Sequence, residues 1–311
     1  MKRSKTVRSR SALSATFEGC PFLGLSAFGK QDAPLFFGRR QETLKALEGL
    51  GYQQLIHPQK SQRTSEDKYY RWLQIEGNSG SGKSSLVSAG MLPLIEQGFL
   101  LERTGFTQWR ILGPMMPGKT PLEKLAETLE QGLIGDPARR DSLGRLKQLK
   151  EDARALAFTI KDFKQPGSAY LLIVDQFEEL FTFADETERK QFDALLAHAL
   201  ADPECPLFLI NTVRADFLDR FEYLPQLQTA YNDCCKRYFL PLISGQGLQD
   251  IIEQPAKLAG LDVSEVTTAI LNDGKDEIGA LPLVENALTL LWQQRQDHKL
   301  SGKAYQQQGG I

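Results

Sequence analysis

The chain has 311 residues, 37 basic and 39 acidic side chains, and a formal net charge of −2. That length suits a core domain with a smaller second domain. The near balance of charge provides no overall field for nucleic acid or acidic lipid. With 41% hydrophobic residues the composition is that of a soluble globular protein, and no apolar run approaches the ~20 residues that span a membrane.

The first residues, MKRSKTVRSRS, carry Lys2, Arg3, Lys5, Arg8 and Arg10 without an acid. No signal-peptide-like apolar stretch follows, so residues 1–20 are expected to be a flexible basic tail. Loops rich in Pro and Gly then lead into a helix from about Arg39 to Leu50, with Leu44, Leu47 and Leu50 on one side. The polar stretch HPQKSQRTSED, residues 57–67, is expected to be a surface loop. A first strand over 72–76 enters a glycine-rich loop, and a helix begins at Ser84 and runs to Ala89. WRILGP, residues 109–114, is a second strand. Pro121–Leu133 and Asp141–Phe163 have helical spacing. The run from Tyr170 to Asp175 is short, apolar and closed by an acid, which suits a parallel strand buried on both faces. A helix over Glu186–Leu200, a strand over Leu207–Val213 and a strand over Arg237–Ile243 follow. After Gly247 only helical spacing appears, at Leu248–Gly260, Glu265–Leu271 and Leu281–Gln294. This order predicts an α/β fold: a parallel-sheet core over 21–244, then a smaller all-helical lid over 245–311.

The four cysteines (Cys20, Cys205, Cys234, Cys235) form no CxxC pair, and adjacent Cys234 and Cys235 do not readily bridge each other. Neither zinc nor a disulfide framework is indicated, and a reducing, cytoplasmic setting is expected. His57, His198 and His298 are scattered along the chain.

Residues 77–84, GNSGSGKS, are a P-loop of the form GxxxxGK[ST] in a strand–loop–helix context, which makes the expected parallel-sheet core that of a P-loop NTPase. Gly77, Gly80 and Gly82 allow backbone conformations that a Cβ forbids. With Asn78, Ser79, Ser81 and Ser85, they form a loop whose N–H groups can surround a phosphate at the positive end of a helix. Lys83 is placed to reach the β- and γ-phosphates of a nucleotide. The Ser84 hydroxyl is a hard oxygen ligand for Mg²⁺.

LLIVDQFEE carries the second signal. Asp175 closes a buried strand, where ligands bind in open α/β sheets, and can hold Mg²⁺ together with Ser84. Glu178 and Glu179 follow within one turn, and a carboxylate there can orient or deprotonate an attacking water. Glu179 is favoured for that role, with Glu178 supporting it; the alternative is that both simply suit the start of the next helix. In NTVRAD, Arg214 lies where a cation could read a γ-phosphate, or it pairs with Asp216 or Asp219. Gly38 and Arg39 in FFGRRQE, and Pro282 in GALPLVENALTLLW, read on their own as a turn and a helix start.

Together these stretches resemble the STAND-class signalling ATPases, and within them the novel STAND group of bacterial multidomain proteins. The resemblance runs from about Pro21 to the last residue. It rests on CPFLGLSAF with DAPLFFGR, GNSGSGKSSLVSAGMLPLI, LLIVDQFEELF, TVRADFLDR, IEQPAKLAGL, and GALPLVENALTLLW with Tyr305 and Gly309–Gly310. It implies that Gly38 and Arg39 contact the nucleotide from the N-terminal side, that Pro282 packs near the adenine, and that Arg214 senses the phosphate. It also implies an ATP/ADP-dependent switch, with Mg²⁺, that self-associates on activation. Some proteins of the class defend bacteria against phage. The segments 57–67 and 134–167 look longer and more polar than usual for the family. The chain stops where the family continues into a winged-helix segment and sensor or repeat modules, so it resembles the ATPase core of a larger protein.

Other functions share the P-loop. A DNA or protein remodeller of AAA+ type would call for a basic channel, and a small-molecule kinase for a compact substrate lid. An ABC-type ATPase would need an LSGGQ-like signature before Asp175. A switch that binds nucleotide without turning it over is the remaining alternative.

Overall fold

Five strands make one parallel sheet: β1 (Trp72–Gly77), β2 (Gln108–Met115), β3 (Ser168–Val174), β4 (Leu207–Arg214) and β5 (Cys235–Phe239), in the spatial order β2-β3-β4-β1-β5. The computed structural model describes residues 17–52, 68–274 and 279–311. The expected basic run at 2–10 and the expected loop at 57–67 lie outside the described residues. A separate antiparallel pair joins Gly51–Tyr52 to Tyr69–Tyr70.

Every residue of β1 and β3 is buried, which is why both read as unbroken runs rather than alternating ones. The register sets Gly77 beside Arg214 and Val174 beside Asn211. The C-terminal ends of β1, β3 and β4 therefore lie side by side, with Asp175 one residue beyond β3. One face of the sheet packs a large core of Trp72, Leu172, Phe177, Phe192, Leu209 and their neighbours. Phe177 stacks on Phe221 with centroids 5.4 Å apart.

A polar ladder crosses this apolar interior. Trp72 Nε1 donates to Asn211 Oδ1 (2.6 Å), and Asn211 Nδ2 donates to Gln74 Oε1 (3.2 Å). Gln74 Nε2 donates to Glu76 Oε1 and to the Tyr231 hydroxyl, and Glu76 pairs with Arg237 on β5. Partners of this kind are what make buried polar side chains tolerable.

Three elements differ from expectation. The single helix over 141–163 is two, Ser142–Glu151 and Ala155–Asp162. Asp152 is extended between them, and its carboxylate accepts from Arg154 N (2.8 Å), a local bond that competes with helix continuation. β5 starts two residues earlier than expected and ends at Phe239; Leu240 N still bonds Glu76 O, and Pro241 has no N–H to extend the ladder. The helix after the glycine-rich loop continues to Glu96 through a π turn at Leu86–Met91.

The described residues form two compact units. The sheet unit holds Phe28–Ala33 and Arg39–Leu242. The helical unit holds residues 17–27, Pro34–Gly38 and Ile243–Ile311. Its helices are Gly245–Leu258, Thr267–Asp273, Ala280–Gln293 and Gly302–Gln307. From sequence, residues up to 20 are expected to be tail and 21–38 to belong with the sheet. Here Phe22 instead joins the helical core of Leu248, Ile252, Val284, Leu288 and Tyr305, and Phe17 N bonds Leu258 O. The apolar character of CPFL is visible in the sequence, but which core receives it is not. Gly38, at φ 78°, approaches Gly247 so closely that a Cβ on Gly38 would stand 2.3 Å from the Gly247 carbonyl oxygen. Among the described residues no helix is long and apolar enough to cross a membrane.

Candidate functional site

β1 ends at Gly77, and the loop of 78–82 turns into the helix beginning Lys83–Ser85. Gly80 and Gly82 have φ of 72° and 89°, backbone that side-chain-bearing residues rarely adopt. Gly77 is close to extended at φ 159°; its need is space, since a Cβ would lie 3.0 Å from Ser81 Oγ. Lys83 is buried, and its Nζ donates to the carbonyls of Gly77 (3.0 Å) and Asn78 (2.8 Å). Burial lowers the Lys83 pKa, opposed by the charges of Glu178 and Asp175. Ser79 is exposed and Asn78 half-buried. The Ser85 hydroxyl accepts from Phe28 N (3.1 Å), which ties the segment after Ala27 to this helix.

Parallel pairing brings Asp175 to the same edge. Its Oδ1 accepts from Ser84 Oγ (2.9 Å) and from Thr212 Oγ1 (2.6 Å), and its amide bonds Met115 O (2.8 Å). Ser84 and Asp175 are hard oxygen donors in direct contact, a set that fits Mg²⁺.

Glu178 and Glu179 part company in three dimensions. Glu178 is buried, and its Oε2 accepts from Arg214 N (3.3 Å). Burial raises its pKa, opposed by backbone N–H groups and by the charges of Lys83 and Arg214. Glu179 opens the short helix Glu179–Thr182, and its Oε2 accepts from Gly118 N (3.0 Å) in the loop after β2. From sequence the favoured water-activating residue is Glu179; the structure instead sets Glu178 among the charges of the P-loop lysine and Arg214.

Arg214 closes β4 and makes a two-pronged pair with Asp216, Nε to Oδ1 at 3.0 Å and Nη2 to Oδ2 at 2.6 Å. Asp216 also raises its pKa. The salt bridge weighed from sequence therefore exists, and the guanidinium, 42% exposed, stays accessible to solvent. Arg39 is 3% exposed. Its Nη1 donates to Pro241 O (2.9 Å) and Glu42 (3.2 Å), and its Nη2 to Ser81 O (3.1 Å). The sheet unit thus gathers the P-loop, Arg39, Asp175, Glu178, Glu179 and Arg214, whereas Gly38 and Pro282 belong to the helical unit. Pro282 is the third residue of the helix Ala280–Gln293.

A family model described as Novel STAND NTPase 1 matches residues 21–311. The chain belongs to this family. Among curated proteins, none matches the sequence. Solved structures similar to this novel STAND NTPase include the Aeropyrum pernix ORC1 protein in complex with DNA, with 15% identity, a TM-score of 0.56, and coverage of 89% of this chain and 66% of that one. The Aeropyrum pernix ORC2 protein in its ADPNP–ADP complexes has 14% identity and a TM-score of 0.52 over 77% of this chain and 61% of that one. A Walker-type ATPase of Pyrococcus abyssi has 17% identity and a TM-score of 0.52 over 85% and 70%. This chain thus spans slightly less than two thirds of the two Aeropyrum chains. At these identities the likeness is one of fold, and it agrees with the parallel-sheet P-loop NTPase architecture.

Two residues of the novel STAND NTPase gain a place at the site only in the structure. Thr212 touches Asp175, and Gly118 holds Glu179. Thr212 belongs to the NTVRAD stretch, in which only Arg214 is singled out from sequence, and Gly118 to a loop with no motif. Arg214 two residues on was the available pointer to Thr212.

Proposed function

We propose that the chain is the Mg·ATP-binding and ATP-hydrolysing switch module of a STAND-type bacterial signalling protein, with phage defence among the outputs its class serves. The observation that most supports this is the meeting of Lys83, Ser84 and Asp175 at the ends of β1 and β3. Lys83 turns its ammonium toward phosphate oxygens in place of its own loop carbonyls. The loop N–H groups orient the β-phosphate. Ser84 and Asp175 would hold Mg²⁺, which would supply positive charge to offset that of the phosphates. Glu178, with its carboxylate steadied by Arg214 N, orients the attacking water and takes its proton. Glu179 braces the Gly118 loop. Arg214 exchanges Asp216 for the γ-phosphate, and that exchange reports nucleotide state. Gly38 and Arg39 contact the nucleotide from the N-terminal side, and Pro282 packs near the adenine, as the family resemblance implies.

Phosphate release by Glu178→Gln and Glu179→Gln chains tests the assignment. Glu178→Gln should lower kcat by about 10²-fold or more with ATP affinity retained, and Glu179→Gln by much less. The reverse order would return the role to Glu179. ATP binding without any phosphate release by the unmodified chain would leave a switch without turnover. The near balance of 37 basic and 39 acidic residues does not favour DNA remodelling, the runner-up, and stimulation of turnover by DNA would revive it.

A further inference from the structure

We propose that Thr212 is a positioning residue: its hydroxyl fixes the orientation of the Asp175 carboxylate and so sets the affinity of the site for Mg²⁺. The proposal rests on the Mg·ATP function above and assigns a role to a residue of the NTVRAD stretch for which the sequence alone suggests none.

The hydrogen-bond directions around Thr212 follow from its chemistry. A threonine hydroxyl has one proton to give. Gln176 N donates to Thr212 Oγ1 at 2.9 Å, so that contact uses the oxygen as acceptor. The hydroxyl proton is then directed to Asp175 Oδ1, 2.6 Å away, a charge-assisted bond. The backbone of the same residue takes part as well, because Phe177 N donates to Thr212 O at 2.9 Å. Thr212 therefore engages three consecutive residues, Asp175, Gln176 and Phe177.

That grip matters because the turn is strained. Gln176 has φ 53°, in the left-handed region that a residue with a long side chain rarely occupies. Holding it there costs on the order of 1 kcal/mol, which surrounding bonds must offset. Thr212 supplies the acceptor for the amide of this very residue. It is itself 1% exposed, in a strand hydrogen-bonded on both sides, so its position is rigid.

Ser84 cannot do the same work. Its hydroxyl also donates to Asp175 Oδ1, at 2.9 Å, but it is the group proposed to face the cation. The Thr212 bond to Oδ1 does not depend on how Ser84 is engaged. Groups that orient a metal ligand in this way typically contribute 10- to 100-fold in metal affinity.

The test is ATP binding to the full chain by calorimetry across a series of MgCl₂ concentrations, with the half-maximal Mg²⁺ concentration as readout. Thr212→Val removes the hydroxyl and keeps the shape. It should raise that concentration by about tenfold or more, with ATP affinity in EDTA unchanged. Thr212→Ser, which keeps the hydroxyl, should stay within about threefold of the unmodified chain. Combined with Asp175→Asn, Thr212→Val should add nothing further, since it acts through the carboxylate already lost. An unshifted Thr212→Val midpoint, a serine chain as impaired as the valine chain, or additive losses would each overturn the proposal. Thr212→Ala is the second hydroxyl-free chain. If neither it nor Thr212→Val unfolds cooperatively, Thr212 serves folding and the proposal fails. Failure of the unmodified chain to bind ATP at any Mg²⁺ concentration would instead refute the Mg·ATP function itself.

Discussion

Arg39 Nη2 donates to the Ser81 carbonyl over 3.1 Å, so the residue just ahead of the helix Arg40–Leu47 holds the P-loop from outside. Its Nη1 takes the Pro241 carbonyl at 2.9 Å, at the end of the sheet unit. Burial lowers the arginine pKa, and the Glu42 carboxylate opposes that shift. Arg39→Ala would leave both carbonyls and Glu42 without this partner, at a cost of about 2–4 kcal/mol. Arg39→Lys should recover only part, because an ammonium cannot span the two carbonyls as a fork does. Thermal unfolding of the three chains measures this. Equal melting temperatures for Arg39→Ala and the unmodified chain would show that the clamp contributes nothing.

Asn211 joins Trp72 on β1 to Gln74 two residues on, through one oxygen and one nitrogen. All three side chains are fully buried. Asn211→Ala removes both links and strands an indole N–H and an amide oxygen in an apolar interior. The expected loss is about 2–5 kcal/mol, from unsatisfied groups plus a cavity. Urea unfolding gives the value, and a loss under about 1 kcal/mol would mean that the ladder is replaceable.

Glu285 lies almost fully buried in the helical unit, where its Oε2 accepts from Leu23 N at 3.2 Å. Burial pushes its pKa from 4.5 up to about 7, partly offset by that backbone bond. Between these values the folded chain keeps a proton that the unfolded chain has released, so stability falls as pH rises through this window. The difference amounts to about 3 kcal/mol, fully present below pH 4.5 and lost above pH 7. Glu285→Gln stays neutral throughout. Relative to the unmodified chain it should gain stability from pH 4.5 to pH 8, by up to about 3 kcal/mol. Chemical unfolding at several pH values tests this, and a difference that does not change with pH would contradict it.

The sheet was legible because parallel strands buried on both faces cannot hide: the apolar runs around Leu73, Leu171 and Leu209 have no other use. The P-loop and Asp175 were legible for a related reason, since glycines before Lys83 and an acid closing an apolar strand each demand a partner. Most of what escaped depends on distant neighbours. Glu178 and Glu179 are adjacent and chemically identical, and only the amides of Arg214 and Gly118 separate them. Asp152 breaks a helix through a bond to Arg154 that periodicity does not register. Phe22 is apolar in any reading, yet its core is made by residues more than two hundred positions later. Thr212 and Asn211 interrupt an apolar strand, and the run conceals them because its other residues set its character.

The most direct measurement is calorimetric titration of the full chain and of Lys83→Ala with ATP in the presence of Mg²⁺. The unmodified chain should bind saturably, and loss of the charge-assisted contact should weaken binding by at least about tenfold. Equal, saturable binding by the two chains would contradict the account of residues 77–84 as a phosphate site.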